Sequence, residues 1–127
     1  MLINPGLLNN FSTLDNDGTI VSNAFSFVIN KPGAVLNNNN SMSNDTNALY
    51  NNSSAIVNNN GTLNNSSTTV YNENGATWNN NGAMNNTNST TLYNNSGATF
   101  NNNGTLTNTF SSLENSGMLV ITARMPS

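Results

Sequence analysis

Three apolar columns keep step along the whole chain at an interval of about 21 residues. Leu14, Leu36, Val57, Trp78 and Phe100 form one, at intervals of 22, 21, 21 and 22. Ile20, Met42, Leu63, Met84 and Leu106 follow six residues behind, with the same intervals. A third runs Leu7, Val28, Leu49, Val70, Leu92 and Leu113, spaced 21, 21, 21, 22 and 21. Biased composition alone keeps no such phase. A repeat of this length marks a chain in which each unit buries its apolar residues against the units before and after it.

The residues between the columns decide what the unit is. The segments "DNDGT", "NNNNS", "NNNGT", "NNNGA" and "NNNGT" separate the first column from the second. Asn, Gly, Ser and Thr favour turns and caps over helix interiors, which argues against helical repeats. Leucine-rich repeats need a denser Leu pattern and a helical half. Gaps of about seven, six and eight residues between columns fit strands of three to five residues joined by tight polar corners. The expected fold is all-β: a parallel β-solenoid of about six coils of 21–22 residues, with three short strands per coil. Residues 1–127 then form a single solenoid domain.

Stacking also accounts for the asparagine, which supplies 34 of the 127 residues. Successive coils lie about 4.8 Å apart, so equivalent side chains sit over one another and amides can hydrogen-bond up the stack as a ladder. The triplets Asn58-Asn59-Asn60, Asn79-Asn80-Asn81 and Asn101-Asn102-Asn103, each followed by Gly, read as one corner repeated. Asn59, Asn80 and Asn102 are the middle members. A second line, Asn51, Asn72 and Asn94 with Asn30 before them, reads as another ladder. Asn and Gly also tolerate the left-handed backbone that corners can require.

Tyr50, Tyr71 and Tyr93 directly follow the third apolar column, so strand alternation turns them outward. They read either as a self-stacking line that covers the adjoining strand, which is the preferred reading, or as a stripe for surface glycans. Trp78 and Phe100 share a column with leucines and belong to the core. Ala34, Ala55, Ala76 and Ala98 form a further line of small residues.

Little in the chain points to chemistry. There is no Cys and no His, which removes thiolate nucleophiles, disulfides and imidazole acid–base catalysis. The only cations, Lys31 and Arg124, are too few to neutralise a phosphate backbone or to hold an anionic membrane, so no nucleic-acid partner is expected. No apolar run is long enough to cross a bilayer as a helix, and no membrane insertion is expected. The N-terminal "MLINPGLLNN" has neither the basic region nor the apolar run of a signal peptide. The acids are Asp15, Asp17, Asp45, Glu73 and Glu114. Asp15 and Asp17, in "LDNDGTI", could aim two carboxylates at one ion or water. In register they replace Asn58 and Asn60, which makes them corner residues carrying a charge. No catalytic, metal or cofactor-binding residue is therefore expected, and the chain is not expected to be an enzyme.

A solenoid leaves unpaired backbone groups on its first and last coils, and soluble examples usually cover them. The stretch "GMLVITARMPS" reads as one more strand with nothing after it to fold across the end. Uncapped ends of this kind want a neighbour, either another copy or the rest of a longer solenoid. Head-to-tail contact that does not close gives a filament.

The units "NNNGTLNN", "INKPGAVLNN" and "NNSGATFNNNGTLTN" resemble the Asn/Gly-rich repeats of filamentous-haemagglutinin-type adhesins. The resemblance runs from Leu7 to about Ile121. It implies a right-handed parallel β-helix, secreted or displayed at the cell surface, serving adhesion or scaffolding, and it carries no catalytic residues. The expected function is a structural subunit of an extracellular or surface filament, assembled from copies of itself end to end. The alternatives are an adhesin-type module recognising glycans and an ice-binding solenoid. For the latter the column Thr19, Ser41, Thr62, Ala83 and Thr105 would be the candidate array.

Overall fold

A computed structural model describes residues 1–23, 25–45 and 47–122. The end of the last sequence segment, residues 123–127 with Arg124, lies outside the described residues. Eighteen strands, β1 to β18 in chain order, stack into three parallel six-stranded sheets. Face I holds β1 (Leu2–Asn4), β4 (Thr19–Ser22), β7 (Ser41–Asp45), β10 (Thr62–Ser66), β13 (Ala83–Thr87) and β16 (Thr105–Thr109). Face II holds β2 (Leu7–Asn10), β5 (Phe27–Asn30), β8 (Ala48–Asn51), β11 (Thr69–Asn72), β14 (Thr91–Asn94) and β17 (Ser112–Asn115). Face III holds β3 (Thr13–Asn16), β6 (Val35–Asn38), β9 (Ile56–Asn59), β12 (Thr77–Asn80), β15 (Thr99–Asn102) and β18 (Met118–Ile121). Every third strand pairs, so the chain winds through six coils of three strands. This is the parallel β-solenoid read from the repeat.

The local reason is a four-letter strand. In Thr77-Trp78-Asn79-Asn80 the second and fourth residues are buried and the first and third half-exposed, as strand alternation requires. The same order recurs in Thr91–Asn94 and Thr99–Asn102. Each strand thus contributes one apolar side chain to the centre of the coil and, except in β4 (Ser22) and β18 (Ile121), one asparagine beside the corner. The apolar residues form a single core from Ile20 to Phe100. Leu8, Leu14, Leu106, Leu113 and Leu119 close it at the two ends, only partly buried. Trp78 lies directly over Val57 and under Phe100, its ring stacked on Phe100 at 6.2 Å and 18°. Its Nε1 is buried without a hydrogen-bond partner.

One column member is corrected. Leu7 pairs with Phe27 and is 59% exposed, whereas Leu8 pairs with Val28 and turns inward. The third column therefore begins at Leu8. The reason is the corner between faces II and III. Inward residues flank that corner eight positions apart in the middle coils, as from Val70 to Trp78, but six apart from Leu8 to Leu14 and from Leu113 to Leu119. The two end coils share a short corner, and two missing residues in the first coil shift its register.

The corners also correct the role of glycine. Left-handed backbone falls between faces II and III, at Gly33, Ser54, Gly75 and Gly97, and between faces I and II, at Phe25, Ser67, Asn88, Ser89 and Phe110. The glycines that follow the asparagine triplets have no positive φ. They are small because coils approach closely there: a Cβ on Gly82 would lie 2.1 Å from the Gly61 carbonyl oxygen, and one on Gly104 2.0 Å from that of Gly82.

Candidate functional site: the ladders and the two end faces

On face III, Asn16, Asn38, Asn59, Asn80 and Asn102 form a continuous interior ladder. Each Nδ2 donates to the Oδ1 of the next coil at 2.7–2.8 Å. On face II the ladder runs Asn10, Asn30, Asn51, Asn72, Asn94 and Asn115, at 2.8–2.9 Å. The second amide hydrogen goes to a backbone carbonyl of the next coil, as from Asn72 to Thr99 and from Asn80 to Thr105, both at 2.8 Å. Side chains so placed meet the rule that buried polar groups must be paired, and each one also ties two coils together.

Face I carries a third interior line that the sequence reading passed over. Asn65 donates to Asn86 and Asn86 to Asn108, both at 2.8 Å. Its signal was present, since Asn44, Asn65, Asn86 and Asn108 stand 21, 21 and 22 apart. The line is broken between Asn44 and Asn65. The Asn44 amide turns to the Thr68 hydroxyl at 3.3 Å, leaving the Oδ1 atoms of Asn44 and Asn65 buried and unpaired.

Outside the coils the direction reverses. Asn101 donates down to Asn79, Asn79 to Asn58, Asn58 to Asn37 and Asn37 to the Asp15 carboxylate at 2.7 Å. A parallel line descends from Asn103 through Asn81, Asn60 and Asn39 to Asp17 at 2.8 Å. A carboxylate only accepts, so it suits the foot of a line whose amides all donate downward. That is what Asp15 and Asp17 do here. Glu73 follows the same rule, accepting from Asn95 in the coil above at 3.0 Å. Among the described residues no three His, Cys, Asp or Glu side chains gather as a metal site would require, and no helix is long and apolar enough to cross a membrane.

Tyr50, Tyr71 and Tyr93 face outward on face II and stack on one another, at 4.8 Å and 6°, then 5.4 Å and 10°. Partial burial, with the neighbouring tyrosines and Glu73, pushes the Tyr71 phenol above its ordinary value. The rings cover each other's faces and leave their edges to solvent. Thr19, Ser41, Thr62, Ala83 and Thr105 line one margin of face I, one residue per coil.

Comparison with family models, curated proteins and solved structures returned no match. What identifies the chain is its own geometry. It is an asparagine-laddered parallel β-solenoid. Among its described residues nothing folds across either end, and the two ends differ in kind.

At the N-terminal end, Leu2, Leu8 and Leu14 present the three core columns, and Asn4, Asn10 and Asn16 present Oδ1 atoms with no described coil beneath to donate to them, those of Asn4 and Asn10 accepting the Gly6 and Ser12 backbone amides at 3.2 Å. At the C-terminal end, Leu106, Leu113 and Leu119 present the same columns. Asn108 and Asn115 receive from below and have no described coil above to take their own amide hydrogens. Met118, Val120 and Ile121 leave the last strand with an exposed apolar margin, Ile121 standing where face III would carry its next asparagine.

Proposed function

We propose that the chain is a structural subunit that stacks end to end with copies of itself into a filament outside the cell or at its surface. The observation that supports this best is the polarity of the ends. One end offers three leucines with acceptors, and the other offers three leucines on the same columns with donors on two of the three faces, from Asn108 and Asn115. Such ends fit each other but not themselves, so the contact is heterologous and non-closing, which gives a filament. Burial of the leucines left open at each end supplies the driving force. The likeness to adhesin repeats fits a scaffold of this kind.

A non-catalytic role is the reading we favour, and it is supported by Asp15, Asp17 and Glu73, which accept side-chain amides from the coil above. Glycan recognition along the tyrosines is less favoured, because sugar rings pack on aromatic faces and these faces are already covered. Ice binding wants a flat, unbroken threonine array, and Ser41 and Ala83 interrupt the one column.

Sedimentation velocity and electron microscopy over a wide concentration range test the proposal. Unbranched fibres with an axial repeat of about 29 Å, six coils at about 4.8 Å, are expected. A chain that stays monomeric at every concentration would overturn it.

A further inference from the structure

The acids and the corner lengths allow the joint between copies to be specified to the residue. We infer that the last coil of one copy seats under the first coil of the next with β17 against β2, so that Asn9 of the upper copy donates to Glu114 of the lower. This inference rests on the end-to-end reading above.

Three observations carry it. First, the outward column of face II runs Asn9, Ile29, Tyr50, Tyr71, Tyr93 and Glu114. Its two ends are the members with no described coil beyond them. Asn9 makes no side-chain hydrogen bond within the described chain, so its Nδ2 hydrogens have no partner there; its buried Oδ1 is also unpaired, and Glu114, which only accepts, leaves that atom as it is.

Second, the three carboxylates that accept an amide in this chain, Asp15, Asp17 and Glu73, all do so from the coil above. Glu114 is in the last described coil, so a coil that satisfies it in the same sense comes from beyond the described residues, and on the end-to-end reading it is the first coil of another copy. Asn9 is the residue that the register places over it.

Third, both end coils have the short corner, and both fold it the same way. Asn10 donates to the Ser12 carbonyl at 3.4 Å, and Asn115 donates to the Gly117 carbonyl at 3.2 Å. At the joint a short corner therefore lies on a short corner. A shift by one face would set a short corner against one of different shape.

In this register Leu113 meets Leu8, Leu119 meets Leu14 and Leu106 meets Leu2. Asn115 finds the Oδ1 of Asn10 and Asn108 that of Asn4, which continues two interior ladders across the boundary. The face III ladder does not continue, because Ile121 meets Asn16. The joint is thus made of the same contacts as the body of the solenoid, with one interior rung missing.

The chain has no cysteine, so single thiols can be placed without competition. Opposed residues of parallel strands lie about 4.8 Å apart, within the Cα range of a disulfide. Asn9→Cys and Glu114→Cys, made as separate chains, are mixed under mild oxidation, and each is also oxidised alone. A covalent dimer is expected in the mixture and essentially none in either chain alone. A Thr107→Cys chain, with its thiol on face I, should not cross-link to Asn9→Cys. Fibres that form while the Asn9–Glu114 pair fails to cross-link, or while Thr107→Cys cross-links equally well, would overturn the register and leave end-to-end stacking standing. Absence of both fibres and cross-links would overturn stacking itself. Mixed wild-type and variant fibres, sampled for cross-links after growth, separate a failed register from a variant unable to assemble.

Discussion

Replacing one interior rung tests whether the ladders hold the coils together or merely fill space. Asn72 is fully buried and makes three ladder contacts. It accepts from Asn51 at 2.9 Å and donates to Asn94 Oδ1 and to the Thr99 carbonyl, each at 2.8 Å. In Asn72→Ala, Asn51 keeps an acceptor in the Thr77 carbonyl, whereas the buried Asn94 Oδ1 loses its donor and the half-buried Thr99 carbonyl loses one contact. At about 1–3 kcal/mol for a buried group left unpaired, loss of the Asn94 Oδ1 partner costs about that much, and the part-buried Thr99 carbonyl adds a smaller amount. Asn79 is the control. It sits one strand away on the outside, donating to Asn58 and accepting from Asn101, both at 2.8 Å. Water can replace those contacts, so Asn79→Ala should cost below about 1 kcal/mol. Urea unfolding of dilute monomer, followed by Trp78 fluorescence and by circular dichroism, measures both; the two signals must coincide for the comparison to hold in a repeat protein. Equal costs for the two variants would refute the claim that direction and burial of the rung matter. Asn72→Asp should do worse than alanine at neutral pH, since it sets a carboxylate against two acceptors, and should recover as the pH is lowered and the group gains a proton.

Two further outcomes follow from the same geometry. Gly82→Ala should destabilise the monomer by more than the roughly 1 kcal/mol scale of a simple conformational change, because its methyl group would sit on the Gly61 carbonyl; unfolding equal to that of the parent would show that the coils can separate there. The raised Tyr71 phenol means that the folded chain holds its proton more tightly than the unfolded chain does. Its contribution is complete below the ordinary value of 10.0 and is lost as the pH rises through the folded value, so Tyr71→Phe should flatten the alkaline limb of the stability curve, measured by thermal melts.

Much of the fold was legible because a stacked coil repeats its reasons. Trp78 over Val57 and under Phe100, and Asn80 between Asn59 and Asn102, follow from a shared phase that a single sequence displays. The first coil was misread because Leu7 and Leu8 are chemically interchangeable. Only the length of the corner after them decides which faces inward, and that length departs from the repeat. The face I ladder was harder to read because Asn44, Asn65, Asn86 and Asn108 stand in mixed surroundings, outside the repeated asparagine triplets. The direction in which each amide donates is set by which partner lies above and which below. Asp15 and Asp17 were the letters that carried this information, since an acid can end a line only where nothing is asked of it but acceptance. The role of the triplet glycines was hidden for a similar reason: closeness between coils leaves no mark on one coil alone.

The reversal of donation between inside and outside has an electrical consequence. Each amide in a line adds its dipole to the next, as peptide units do along a helix, and a fibre of many subunits could build a large axial field from aligned side chains. Here the interior lines point their positive ends toward the C-terminal end and the exterior lines toward the N-terminal end, where Asp15 and Asp17 offset them. The moments oppose one another coil by coil, so lengthening the stack adds little net polarisation from these side chains and raises no growing electrostatic penalty against the next subunit.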